Sequence, residues 1–260
     1  MSKAAVVAVL VGVLLPGVVV AHGASGRDGK RLTTAARIKA AQRFARSREG
    51  EVAFAVLDGR SNHVRGFKRT TRFRSASVVK AMMMVSVLRR AGRRRLNGTE
   101  RARLHPMITR SDNDAASAIY GEIGNHGLRR VAHVAGMHRF TPSAVWGTSQ
   151  ITAADQVRFF LRIDKLVPRR HRRYARKLLS SIVKGQRWGI APVAHRRKLK
   201  AFFKGGWVPG VTNQVALLER RRGDGRIAVA VLTRNSPSQA YGEETIERIA
   251  ARLLDASDAR

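Results

Sequence analysis

Ser77-Val78-Val79-Lys80 sets a hydroxyl and an amine three residues apart, the spacing that puts two side chains on one side of a helix. A serine hydroxyl is a weak nucleophile at neutral pH and needs a base. A lysine buried among apolar residues has its ammonium form disfavoured and can be that base. Val78, Val79, Ala81, Met82, Met83 and Met84 give Lys80 such surroundings. Near a helix start, the Ser77 N–H would also favour negative charge developing at the reacting centre. The spacing alone discriminates poorly. With 16 serines and 11 lysines in the chain, about 0.7 matches to S-x-x-K arise by chance. A second match, Ser181-Ile182-Val183-Lys184, ends an arginine-rich helical stretch before Gly185, and its lysine is expected in solvent.

Ser111-Asp112-Asn113 is rarer, with about 0.01 chance occurrences in such a chain. Between two helical stretches it can present a second hydroxyl to relay protons and an amide to bind a substrate amide. An Asp/Asn helix cap is the alternative that the flanking sequence allows. Lys204-Gly205-Gly206-Trp207 ends an expected strand and sets an ammonium beside backbone that a ligand can approach closely, which would suit a substrate carboxylate. Read alone it is equally a bulge or a turn.

The elements that must position these groups follow from periodicity. Residues 32–47 carry Ala35, Ile38, Ala41 and Phe44 at three-residue steps, a helix with one apolar face. Residues 52–57 and 63–67 flank Asp58-Gly59-Arg60-Ser61-Asn62 and read as a hairpin. Residues 77–88 are apolar almost all round and read as one buried helix, with Met82, Met83 and Met84 as core filling. A helical block spans 99–181, with breaks at 111–113, 124–125, 141–142 and 167–168. Strands are expected at 199–203, 214–218 and 227–232, with a turn at Gly223-Asp224-Gly225. A last helix carries Ile246, Ile249, Ala250, Leu253 and Leu254 on one face. The order predicts an α+β fold: one antiparallel five-stranded sheet flanked by helices, with an inserted helical lobe and a cleft between the two.

Composition bounds the rest. The chain has 260 residues, 51 Lys+Arg against 17 Asp+Glu, a formal net charge of +34 and 44% hydrophobic residues. That apolar content supports a folded core rather than a disordered basic tail. With no cysteine, a disulfide scaffold, a thiol nucleophile and a sulfur-bound zinc are excluded. There is no G-x-S-x-G elbow, no H-E-x-x-H and no G-x-x-x-x-G-K. His126, His133 and His138 have a spacing that suits surface or helix packing rather than a metal. Trp188 and Trp207 either line the cleft or fill the core. At the N-terminus, Lys3 precedes an uncharged apolar run at 4–21, which reads as a secretory signal ending near residue 24, or as an uncleaved anchor.

Taken in order, the motifs resemble those of the class A serine β-lactamases and their relatives among the penicillin-binding proteins, whose signature is S-x-x-K, S-D-N and K-T-G. The first two occur here intact and the third is altered to Lys204-Gly205-Gly206. The resemblance extends from about Leu32 to Leu254. It implies a β-lactamase-like domain at 32–256, with an α/β lobe from 32–76 and 199–256 and a helical lobe from 77–198. It implies Ser77 as the acylated nucleophile, Lys80 as its base and Ser111 as the proton relay to the leaving nitrogen. Asn113 would clamp the substrate amide and Lys204 would hold its carboxylate, with Gly206 and Trp207 in the substrate-binding strand. The N–H groups of Ser77 and Trp207 would form the oxyanion hole. Two departures stand out. Gly205 removes a hydroxyl that would bind the substrate carboxylate, and the E-x-x-L-N pattern whose glutamate activates the deacylating water is not found. Glu122, the one glutamate between Ser111 and Lys204, does not match it.

The expectation is therefore an exported, secreted or cell-surface, serine hydrolase that forms an acyl-enzyme with β-lactams or D-alanyl peptides and deacylates slowly. It would need no cofactor or metal, act as a monomer on a small-molecule or peptide substrate with a carboxylate, and use its charge on anionic cell-wall polymers or lipid head groups rather than nucleic acid. The alternative is a catalytically weak or inactive protein of the same fold that serves as a basic binding protein at the cell surface.

Overall fold

The strand with the longest run of β-branched and small apolar residues, β7 (Arg226–Arg234), is buried at every position from Ala228 to Thr233. β6 (Val211–Arg220) is likewise buried from Thr212 to Leu218. Alternate residues of a strand point to opposite faces, so unbroken burial means that both faces of these strands are covered. The computed structural model describes Met1 and residues 33–61, 63–220 and 225–254. The apolar run at 4–21 and most of the expected turn at 223–225 lie outside the described residues.

The sheet has the order β2-β1-β7-β6-β5, and every neighbouring pair is antiparallel. β1 (Glu51–Asp58) pairs with β2 (Arg65–Phe67) as the expected hairpin, with Phe54 opposite Phe67. β5 (Leu199–Val208) is the edge strand. It and β6 run well past the lengths that their apolar runs predict, so Lys204-Gly205-Gly206-Trp207 lies inside a strand rather than at its end. Helices α1 (Thr34–Arg46) and α8 (Gln239–Leu253) pack on each other and on the sheet. Thr33 and Ser238 begin them by accepting N–H bonds from Ala36 and Tyr241. α5 (Ala153–Leu166), capped by Thr152, lies against β1, β6 and β7 and buries Val157, Phe159, Phe160 and Ile163. The fold is thus α+β, with the five-stranded sheet expected from the element order.

The helical part is built from α2 (Lys80–Ala91), α3 (Gly98–Thr109) and α4 (Asn113–Ala135), with α6 (Arg172–Ser180) and α7 (Ile190–Arg196) beyond α5. Met82, Met83 and Met84 are fully buried, as a helix apolar on all sides requires. α4 is broken at Gly124, whose φ of 56° and ψ of −170° interrupt the helix where the sequence carries Gly-Asn.

One expectation is corrected. Residues 77–88 are not a single α-helix, because Ala76–Val79 forms a tight three-residue-per-turn helix and the α-helix begins only at Lys80. The cause is how this segment is held. β3 (Phe73–Arg74) pairs with β4 (Gln150–Ile151), and the Ser75 N–H donates to Ser149 O at 2.8 Å. From the sheet, the Asn213 amide of β6 donates to Arg74 O at 2.8 Å and to Ser75 O at 3.4 Å, while its oxygen accepts the Thr233 N–H.

Asn213 is fully buried, so Asn213→Ala would leave the Thr233 N–H and the Arg74 carbonyl without partners. The expected loss is about 2–3 kcal/mol in urea unfolding. A change below about 0.5 kcal/mol would show that these bonds do not hold the segment.

Candidate active site

Ser77 lies in the first turn of the tight helix and is half-buried. The residue before it, Ala76, has φ of +43°, a left-handed conformation that is costly for a side chain with a Cβ and persists only where the surroundings enforce it. The bonds to Ser75 from Ser149 and Asn213 supply that enforcement. On the other side runs the backbone of β5. A Cβ on Gly206 would stand 2.5 Å from Ser77 N and 2.7 Å from Val78 N, so only glycine lets the strand pass this close. The second glycine of the Lys-Gly-Gly motif is thereby explained by contact with the start of the serine helix.

Lys80 is fully buried at the start of α2. Its ammonium donates to Ser111 O at 2.5 Å and Asn113 Oδ1 at 2.7 Å, with Ser111 Oγ at 3.4 Å. It also stands 4.8 Å from the centroid of the Trp146 ring. Lys204, equally buried on β5, donates to Ser111 Oγ at 3.0 Å and Gly205 O at 2.8 Å. Two lysines therefore share one hydroxyl. Burial lowers Lys80 from 10.5 to about 8, while the Asp112 carboxylate pulls the other way. Lys204 is held well below the usual lysine range, first by burial and then by the positive charge of Lys80.

The Ser111-Asp112-Asn113 loop resolves as both of the readings its sequence allows. Ser111 adopts φ of +61°, and Asp112 turns away to cap α4 by accepting the Ala115 N–H at 2.8 Å. Ser111 and Asn113 both line the cavity that Ser77 faces. That cavity measures about 310 Å³ and is walled by Arg74, Trp146 and Trp207 as well. Among the described residues lining it there is no carboxylate. The second S-x-x-K match lies away from the cavity, with Ser181 and Lys184 exposed.

Gly205, where the altered motif lacks a hydroxyl, faces Trp188. A Cβ there would stand 2.9 Å and 3.0 Å from two atoms of the indole. Trp188 in turn meets Trp207 edge to face, with centroids 6.0 Å apart. Trp207 lines the cavity and Trp188 is the half-buried support behind it, with a buried indole N–H that has no partner among the described residues. Sequence reasoning missed Arg74, Trp146 and Asn213. Arg74 directly precedes the nucleophile segment in sequence, but Trp146 and Asn213 carry no local signal, since one depends on a loop conformation and the other on strand register.

Set beside known proteins, residues 101–257 match the model of the beta-lactamase enzyme family. The chain belongs to that family. No curated protein sequence matches it. Among solved structures, the chain resembles a beta-lactamase from Sphaerobacter thermophilus, with 21% identity, a TM-score of 0.71 and coverage of 86% of this chain and 95% of the other. A beta lactamase from Xanthomonas campestris pv. campestris gives 16%, 0.74, 87% and 99%. A structure of PBP-A gives 14%, 0.72, 84% and 94%. At these identities the likeness establishes a shared fold, in which Ser77, Lys80, Ser111, Asn113, Lys204, Gly206 and Trp207 of this family member converge on one place.

The Gly205–Trp188 contact can be tested as a cycle. Gly205→Ser is expected to cost about 1–3 kcal/mol through overpacking against the indole. In a Trp188→Ala background the same change should cost at least about 1 kcal/mol less, as read by urea unfolding of all four proteins. Additive costs would mean that the indole does not exclude a side chain at 205.

Proposed function

We propose that this protein is an exported active-site serine hydrolase, acylated at Ser77 by β-lactams or D-alanyl peptides and slow to deacylate. The observation that carries the reading is Ser111 Oγ held between two buried lysines, one of them poised near pH 8, beside a serine on a cavity wall. In this mechanism the neutral Lys80 amine takes the Ser77 proton as Oγ attacks the substrate carbonyl. The oxyanion is met by the Ser77 N–H at the start of its helix and by that of Trp207 on β5. Ser111 passes a proton to the leaving nitrogen, the C–N bond breaks and an ester on Ser77 remains. Asn113 keeps its oxygen on Lys80, which leaves its NH₂ free for a substrate carbonyl. Lys204 and Arg74 supply positive charge for a substrate carboxylate.

Hydrolysis of the ester needs a base aimed at water. Class A enzymes use a glutamate, and here the described cavity lining offers none. The base that remains is Lys80, which Ser111, Asn113 and Trp146 surround. Export rests on Lys3 and the apolar run at 4–21. Among the described residues no helix is long and apolar enough to cross a membrane.

A second reading, a weakly catalytic or inactive member of the family that acts as a basic binding protein at the cell surface, is favoured by the +34 charge. It also draws on the resting geometry, in which Ser77 makes no hydrogen bond to Lys80, whose contacts go to Ser111 and Asn113.

A fluorescent penicillin separates the two. The expected result is a covalent adduct on the wild type with a lifetime long against its formation, and none on Ser77→Ala. An adduct that persists in Ser77→Ala removes Ser77 as nucleophile, and no adduct on either protein favours the binding reading. The reactive form of Lys80 is the uncharged amine, so its fraction grows as pH rises toward its lowered pKa. The labelling rate should therefore climb roughly tenfold per pH unit below about 7 and level off above about 9. Lys80→Ala should lower it by at least about 10²-fold. A rate flat from pH 6 to 9 would remove Lys80 as the base.

A further inference from the structure

Residues 165–218 contain six lysines and eight arginines and not one aspartate or glutamate. Apart from Lys204, these cations belong to α5, α6, α7, the turns between them and the beginning of β5. Four of them, Arg176, Arg187, Arg196 and Lys200, line a groove of about 1020 Å³, the largest among the described cavities, whose wall also holds His195 and Arg220. Glu219 is the one acidic residue lining it, and it is already spent: Arg176 and Arg226 clamp it together with Asp164. Arg196 is paired with Glu247. Arg187, His195, Lys200 and Arg220 make no ion pair with a described residue, and the first three are exposed.

We propose that this groove binds a linear, phosphate-linked polyanion that carries no aromatic bases. Three observations select that occupant. The unpaired cations line a concavity between α6, α7 and the edge strand, which admits a single chain but not the flat plane of a bilayer surface. Two of the unpaired cations, Arg187 and Arg220, are guanidinium groups whose forked N–H donors fit the oxygens of phosphate. Of the two aromatic rings in the lining, Phe203 is 4% exposed and only the His195 imidazole is open to solvent, so the groove has no series of aromatic platforms on which successive nucleobases could stack, as single-stranded nucleic acid requires.

Position gives the groove a use. It flanks residues 199–203 of β5, whose later residues Trp207 and Val208 line the Ser77 cavity. At about 3.3 Å per residue, Lys200 and Trp207 lie about 23 Å apart along one strand. A polymer in the groove would hold the protein, and anything attached to that polymer, within reach of the cavity. The binding itself does not depend on acylation at Ser77.

Fluorescence anisotropy with end-labelled inorganic polyphosphate and the full chain tests the proposal at about 0.15 M salt. The triple variant Arg187→Ala/Lys200→Ala/Arg220→Ala is compared with a control that removes the same charge from exposed positions elsewhere, Lys39→Ala/Arg43→Ala/Arg129→Ala. The groove variant should bind at least about tenfold more weakly, the control within roughly threefold of wild type, and Ser77→Ala like wild type. Circular dichroism and urea unfolding of each variant establish that it is folded. Equal weakening by both triples would reduce the effect to net charge and overturn the proposal. So would tighter binding, at equal charge, to single-stranded DNA, to polyglutamate or to phosphatidylglycerol vesicles.

Discussion

The centre of this molecule is a hydroxyl held between two buried amines. Ser111 Oγ accepts from Lys204 and lies within reach of Lys80, and both lysines are fully removed from water. Burying two cations side by side without a carboxylate between them is costly, because desolvation and mutual repulsion act in the same direction. The fold meets that cost with neutral oxygens: Ser111 O, Asn113 Oδ1 and Gly205 O each accept from one of the amines. It also meets it by lowering both lysine pKa values, which disfavours carrying both charges at once. Three segments far apart in sequence must converge for this: the start of α2, the loop before α4, and β5. The left-handed backbone of Ala76 and of Ser111, the Asp112 cap and the glycine at 206 are local consequences of that convergence.

Much of this was legible in the residues. Apolar periodicity located the sheet strands and most of the long helices. The motif spacing named the residues that the structure brings together, since Ser77 and Lys80 sit one turn apart and Ser111-Asp112-Asn113 opens a helix. What escaped depends on groups that meet only after folding. Two-residue strands such as β3 and β4 have no period to read. Asn213 looks like any polar strand residue until its register places it against the Arg74 and Ser75 carbonyls. The tight turn at Ala76–Val79 was hidden because valines and methionines continue the apolar pattern across it, and only the tether to Ser149 reveals where the α-helix begins. β5 is longer than its sequence suggests because Lys-Gly-Gly lacks β-branched residues, although the paired strand β6 carries the ladder through it.

The excess of positive charge is accommodated by several devices. The described acidic residues are concentrated in shared clusters, as where Glu122 takes both Arg90 and Arg103, and Glu51 takes both Lys68 and Arg234. Exposed pairs of this kind each add little, at about 0–1 kcal/mol. Other arginines lie over aromatic rings, Arg252 at 4.2 Å from the Phe44 centroid and Arg46 at 4.7 Å from that of Phe67. Still others donate to backbone carbonyls, as Arg89 does to Leu166 O. These contacts position guanidinium groups without neutralising them, so they leave the large net positive charge of the chain in place.

Trp146 bears on one departure from the class A pattern, the missing glutamate, because its ring stands beside Lys80. The loop that carries it is closed on itself by the Thr148–Ser143 and Thr141–Gln150 bonds and tied to α4 through Ser117 and through Tyr120. An aromatic ring over an ammonium stabilises the charged form without offering a proton acceptor. A carboxylate in that position would do both. In the mechanism proposed above, Lys80 is the amine that activates Ser77, and the ring of Trp146 beside it offers no proton acceptor to a water. Acylation and deacylation make different demands, the first for a neutral lysine beside a hydroxyl and the second for a base with water in reach. The described lining of this cavity contains hydroxyls and an amide but no carboxylate, and the proposed slow deacylation rests on that difference.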